Sequence, residues 1–285
     1  MDRRIIDLYD EFTHGGMERR DFLARLAGLA GGMNAAFGLL PQLENDYGRL
    51  PAVRPDDPSI AVDYVTYPGA SGDVRAYSAA PRSAGKAPAV IVIHENRGLN
   101  PHIEDVARRA AAAGFWAIAP DALSPVGGTP ADADTARTRL GQLDAERTAR
   151  DFVAGVAFAK QHASSTGRVG CVGFCWGGGM ANQMAVRSPD LDAAVAFYGR
   201  QPSAADVPKI RAAVLLHYAG LDTRINEGIP AYETALKAAG VRYELHVYDG
   251  VDHAFHNDTS PTRYNEAAAK LAWQRTVDFL RKQLA

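Results

Sequence analysis

Gly173-Phe174-Cys175-Trp176-Gly177-Gly178 follows a short apolar strand at residues 169–174 and opens a helix of small residues. The spacing Gly-x-nucleophile-x-Gly, at the join of a strand and a helix, is the pattern of a nucleophile elbow. Side chains two positions before and after the nucleophile would collide in so sharp a turn, which is why glycine stands at both. The amide of Trp176 then points to where an oxyanion forms. A thiol held this way reads as an acyl-transfer nucleophile, whereas Cys171, in the body of the same strand, reads as a core residue.

From residue 58 onward the chain alternates strand-like and helix-like stretches. Residues 60–67 and 73–80 read as an antiparallel pair joined by Gly69-Ala70-Ser71-Gly72. Strands follow at 88–94, 115–119, 191–198, 212–218 and 243–248. Helices are expected at 132–143, 145–163, 226–239 and 261–284, and one is opened by Asn100 and Pro101. Such alternation implies a mostly parallel sheet with helices on both faces. Ligands in such sheets bind beyond the carboxyl ends of the strands.

Two further groups fall at that edge. Asp222 follows the strand ending near Tyr218, and His253 follows the one ending near Tyr248. In the order nucleophile, acid, histidine, His253 takes and returns the proton while Asp222 fixes its tautomer. Asp252 and His256 are rivals for these two roles. Glu95 ends the strand at 88–94, and a carboxylate beside a thiol disfavours the thiolate; its alternative is a loop pairing with Arg97. The same loop offers a second oxyanion donor at about Asn96. His94-Glu95 does not begin a zinc helix motif, because position 98 is glycine.

With a chain of 285 residues, 47% hydrophobic, one large domain plus an extension is affordable. A net charge of −2 without a dense basic stretch gives no nucleic-acid footprint. Beyond residue 41 no long uncharged apolar run suggests a membrane span. Cys171 and Cys175 stand about 13 Å apart along a strand, too far to bridge. A free thiol suits the cytoplasm. Arg19-Arg20-Asp21-Phe22-Leu23 ahead of a Gly/Ala-rich run to Leu40 instead looks like a twin-arginine signal for export to the periplasm. No Ala-x-Ala cleavage site occurs between Ala24 and Ala70, and Phe22, Leu23, Leu26 and Leu29 share a helical face, so a retained, docked helix is the other expectation.

Taken together these residues resemble the dienelactone hydrolase (carboxymethylenebutenolidase) family of α/β-hydrolases, over residues 58–285. The resemblance is carried by Gly173-Phe174-Cys175-Trp176-Gly177-Gly178, Tyr198-Gly199, Asp222 and His253-Ala254-Phe255. It implies an α/β-hydrolase fold for that stretch; residues 1–57 lie outside the resemblance as an N-terminal helical extension, which could pack on its own domain or join the chain to a partner copy. It also implies cofactor-free and metal-free hydrolysis of small esters or lactones through a thioacyl intermediate. Cys175 attacks, His253 and Asp222 activate it, Trp176 and Asn96 hold the oxyanion, and Glu95 contacts the resting thiol and gates it. The family's arginine after the histidine is missing from His253-Ala254-Phe255-His256-Asn257-Asp258. Arg97 or Arg224 could supply the charge, or be ordinary surface arginines. Tyr198, Phe255 and Trp176 are expected as pocket walls, and Trp116 as core. A ligand-binding or sensor protein on the same fold is the alternative; a redox thiol protein lacks a partner cysteine.

Overall fold

The computed structural model describes residues 1–83 and 85–285. Its strands are β1 (Ile60–Pro68), β2 (Asp73–Pro81), β3 (Ala87–Ile93), β4 (Trp116–Pro120), β5 (Ser165–Phe174), β6 (Ala193–Phe197), β7 (Ala213–Ala219) and β8 (Tyr243–Tyr248). The helices that precede the sheet are α1 (Arg3–His14), α2 (Arg19–Ala30) and α3 (Met33–Leu43). Those woven through it are α4 (Pro101–Ala112), α5 (Ala133–Gly141), α6 (Ala145–Gln161), α7 (Trp176–Arg187), α8 (Thr223–Asn226), α9 (Ile229–Ala238) and α10 (Glu266–Gln283).

The strands form one sheet in the order β1-β2-β4-β3-β5-β6-β7-β8. Among the described residues only β2 runs against its neighbours, β1 and β4; the rest pair in parallel. This is the α/β-hydrolase arrangement expected above. Because side chains alternate across a strand, Val90 and Val92 of β3 join a core with Ile103 and Val106 of α4 and Val277 and Leu280 of α10. Ile91 and Ile93 face the other way, toward Phe152 and Val156 of α6 and Met180 and Met184 of α7. Trp116 is buried there too, its indole N–H donating to Ser78 Oγ at 3.0 Å. Cys171 lies wholly buried within β5, and burial pushes its thiol up to about 12.

Two helix boundaries differ from expectation, each for a local reason. The stretch at 226–239 breaks at Gly228, where a Cβ would sit 2.3 Å from Gln201 Oε1. The last helix starts at Glu266 and not at residue 261, because Asn265 caps it by accepting from the Ala268 amide at 3.0 Å.

The first 43 residues build a separate helical layer. Ile5, Leu8, Tyr9 and Phe12 of α1 pack with Phe22 and Leu26 of α2 and with Leu43. The apolar run after Arg20 does not form a single rod. At Gly31 and Gly32, with φ of 85° and 141°, the chain enters conformations that side-chain-bearing residues rarely adopt, and α2 and α3 meet at a bend of 108°. Among the described residues no single helix is long and apolar enough to cross a membrane. Phe22 and Leu26 are buried as the shared face requires, while Leu29 stays exposed.

Candidate active site

The turn after β5 is as tight as the glycine spacing implied. Cys175 has φ 56° and ψ −113°, a left-handed conformation costly for a residue with a Cβ. A Cβ on Gly173 would lie 1.9 Å from the Gly177 carbonyl oxygen, and one on Gly177 2.5 Å from the carbonyl oxygens of Ile93 and His94. The Cys175 amide is tied to the Phe197 carbonyl at 3.0 Å, anchoring the bend to β6. Trp176 heads α7, so its N–H belongs to the first turn and has no intrahelical acceptor.

Loops after β7 and β8 bring Asp222 and His253 to the same edge. His253 Nδ1 donates to Asp222 Oδ2 at 2.5 Å. Its Nε2 is buried, lacks a hydrogen-bond partner and lies within 4.8 Å of Cys175 Sγ. Burial disfavours the imidazolium, but the neighbouring Cys175 thiolate and Asp222 carboxylate outweigh it and raise His253 to about 10. Burial likewise opposes Asp222 ionisation, yet the bond from His253 holds that carboxyl below its usual range. The rivals are engaged elsewhere. Asp252 pairs with Arg3, and His256 is stacked under the elbow on Phe174, ring centroids 4.9 Å apart.

Glu95 is buried, but its partners are not those expected. Oε2 accepts from Asn257 Nδ2 at 2.7 Å and Oε1 from the Tyr198 hydroxyl at 3.4 Å. Arg97 instead turns to the Tyr9 hydroxyl at 3.3 Å and Asp134 at 3.4 Å. The hydrogen-bond contact with the sulfur comes from His14, the last residue of α1, whose Nε2 lies 3.2 Å from Sγ. Its ring meets the His253 ring edge-on, with centroids 4.5 Å apart. His14 Nδ1 is 2.9 Å from the Asp10 carbonyl and 3.0 Å from Thr13 Oγ1.

Three further bonds seat α1 over the elbow. Asn96 Nδ2 donates to the Thr13 carbonyl at 2.7 Å, Arg137 to the Phe12 carbonyl at 2.7 Å, and Arg263 to Asp10 at 3.0 Å. Sequence reasoning missed His14, Asn257 and Arg263. Only α1 carried a legible signal, the i, i+3, i+4 spacing of Ile5, Leu8, Tyr9 and Phe12; nothing local marks its terminal histidine.

Cys175 and His253 open onto a cavity of about 480 Å³ walled by Trp176, Tyr198, Asn96 and the end of α1. Arg137, Arg200 and Arg224 also reach it. Phe255 does not, being fully buried against Tyr198 and Tyr248. Trp176 is held flat on His94, rings 8° from parallel and 5.2 Å apart. A pocket of this size admits a small organic molecule, with a thiol, a charge-stabilised imidazole and a helix N-terminus converging on one wall.

Comparison with known proteins identifies the family of the fold that carries this site. The family model described as "Dienelactone hydrolase family" matches residues 74–284, and one described as "YqhI-like" matches residues 1–31. The "Putative carboxymethylenebutenolidase" of Salmonella typhi is 36% identical over 239 residues, covering 78% of this chain and 88% of that protein. The "Putative hydrolase fragment YghX" of Escherichia coli K12 is 49% identical over 112 residues, covering 38% of this chain and 96% of the fragment. A crystal structure titled as a "Putative Dienelactone Hydrolase" from Klebsiella pneumoniae superposes with a TM-score of 0.72 at 30% identity, covering 78% of this chain and 99% of that one. The chain therefore belongs to the dienelactone hydrolase family of α/β-hydrolases and is a hydrolase acting on esters, lactones included.

Proposed function

We propose that this enzyme hydrolyses small esters or lactones with Cys175 as nucleophile, by way of a thioacyl-enzyme. The observation that carries the reading is the alignment of Sγ, His253 and Asp222: the elbow thiol lies beside an imidazole whose far nitrogen is bound to a buried carboxylate. His253 Nε2 holds the proton given up by the thiol while the sulfur attacks the substrate carbonyl. The amides of Trp176 and Asn96 hold the oxyanion, aided by the positive end of α7. Collapse breaks the C–O bond, and the alkoxide leaves with the proton from His253. Water, deprotonated by the same nitrogen, then cleaves the thioester and restores the thiol. Glu95 serves by fixing Tyr198, which walls the cavity, and is itself held by Asn257, and Arg200 and Arg224 give the cavity a positive wall for a polar or anionic portion of the substrate.

Cys175→Ala is expected to abolish turnover of p-nitrophenyl acetate while keeping the thermal transition of the parent. Mass spectrometry of the parent, quenched during turnover, is expected to show one acetyl adduct on the intact chain and, after digestion, to place it on the peptide bearing Cys175. Undiminished turnover in Cys175→Ala, or an adduct on another residue, would exclude the thiol as nucleophile.

A further inference from the structure

We propose that Cys175, His14 and His253 form a binding site for a thiophilic divalent cation, Zn²⁺ foremost, which silences the nucleophile when it binds. The donor atoms are one sulfur and two imidazole nitrogens, all within 4.8 Å of one another, with His14 Nε2 already 3.2 Å from Sγ. This sulfur–nitrogen set suits zinc and copper and discriminates against magnesium and calcium.

Both rings are oriented for the task. The outer nitrogen of His253 is bound by the Asp222 carboxylate, and that of His14 lies against the Asp10 carbonyl. A carboxylate or carbonyl behind each imidazole is the support that metal-ligating histidines have, and it turns the other nitrogen's lone pair inward. His253 Nε2 is the unanswered group. It belongs to a residue only 3% exposed and has no hydrogen-bond partner. The sulfur stands at hydrogen-bond distance from the His14 nitrogen only and leaves the His253 nitrogen unanswered; a cation would satisfy both nitrogens, and the sulfur as well.

The geometry needs little adjustment. With Zn–S near 2.3 Å and Zn–N near 2.0 Å, tetrahedral donors stand about 3.3–3.5 Å apart. The sulfur–His14 separation is already close to that, and the remaining pairs, all within 4.8 Å, need to close by no more than about 1.5 Å. A fourth position opens on the cavity for water. Binding displaces the thiol proton to solvent and leaves a thiolate–zinc bond. It occupies the sulfur lone pair and the nitrogen that would accept the proton, and it pins the end of α1 to the elbow. Silencing rests on the acyl-transfer reading; binding does not, so the two can fail separately.

The full-length protein, stripped with a chelator, would be titrated with ZnCl₂ against a chromophoric zinc indicator and, separately, with CoCl₂. One zinc per chain is expected, with one thiol lost to Ellman's reagent for each ion bound. The cobalt form is expected to show the near-ultraviolet thiolate-to-metal charge-transfer band. His14→Gln, checked by its thermal transition, is expected to weaken zinc binding by about 10–100-fold, and Cys175→Ala to abolish the cobalt band. Absence of stoichiometric binding, or unchanged affinity in folded His14→Gln, overturns the site. Ester turnover in the parent is expected to fall as zinc fills the site and to return with chelator. Zinc bound at full occupancy with undiminished turnover overturns the silencing while leaving the site intact.

Discussion

At the scale of single residues, the site depends on which nitrogen of His253 carries its proton. Asp222 Oδ2 accepts from Nδ1 and thereby leaves Nε2 to face the sulfur. Asp222→Asn keeps the size of the side chain and an oxygen for the Ile225 amide, which Asp222 now caps at 3.3 Å. It removes the charge and lets an amide N–H face Nδ1, inverting the tautomer. Turnover of p-nitrophenyl acetate is expected to drop by about 10³–10⁴-fold with little change in melting temperature. A loss below tenfold would mean that another group orients the imidazole. Cys175, Asp222 and His253 were each legible in the sequence, because each follows a recognisable strand end. His14 was not, since 161 residues separate it from the sulfur it touches.

At the scale of elements, the elbow is a junction of three backbones that leaves no volume for side chains. Gly177→Ala forces a Cβ against the carbonyls of Ile93 and His94, where β3 ends. It is expected to cost about 1–3 kcal/mol in urea unfolding, and to lower turnover by displacing the Asn96 amide. Gly179, two residues on within α7, makes the contrast: its Cβ would meet Arg200 at an ordinary 3.6 Å. Gly179→Ala is expected to stabilise the protein by about 0.5–1 kcal/mol, the usual gain for alanine in a helix interior. Equal effects from the two substitutions would contradict the packing described for the elbow. The strands could be read because apolar runs of five to seven residues, punctuated by glycine and proline, have few other uses. The start of α10 could not, because the turns from Asn257 to Tyr264 look helical until the bonds they make with Glu95 and Asp10 are seen.

At the scale of the molecule, charged pairs that span distant segments link stability to pH. Asp258, after β8, lies 3.0 Å from His102 Nδ1 and 2.5 Å from Arg109 Nη2, both on α4. Burial opposes its ionisation, but His102 and Arg109 outweigh it and hold the carboxyl well below its usual range. A carboxyl depressed in the folded state stabilises the fold above its unfolded value of about 4 and loses that contribution as pH falls further. Unfolding free energy from urea titrations is therefore expected to decline below about pH 4, and to decline less steeply in Asp258→Asn. Parallel pH dependences in the two proteins would remove Asp258 as a source of the acid sensitivity.

The amino-acid order by itself determined the β-α alternation, the elbow and the identities of its thiol, acid and imidazole, because strand spacing and glycine sterics act over a few neighbouring residues. Only the tertiary structure decided what surrounds the sulfur. That Glu95 bonds to Tyr198 and Asn257, that Arg97 turns away toward Tyr9, and that α1 lays His14 on Cys175 are outcomes of packing between segments far apart in the chain. No local pattern records them, since each is fixed by where a buried polar group finds its partner.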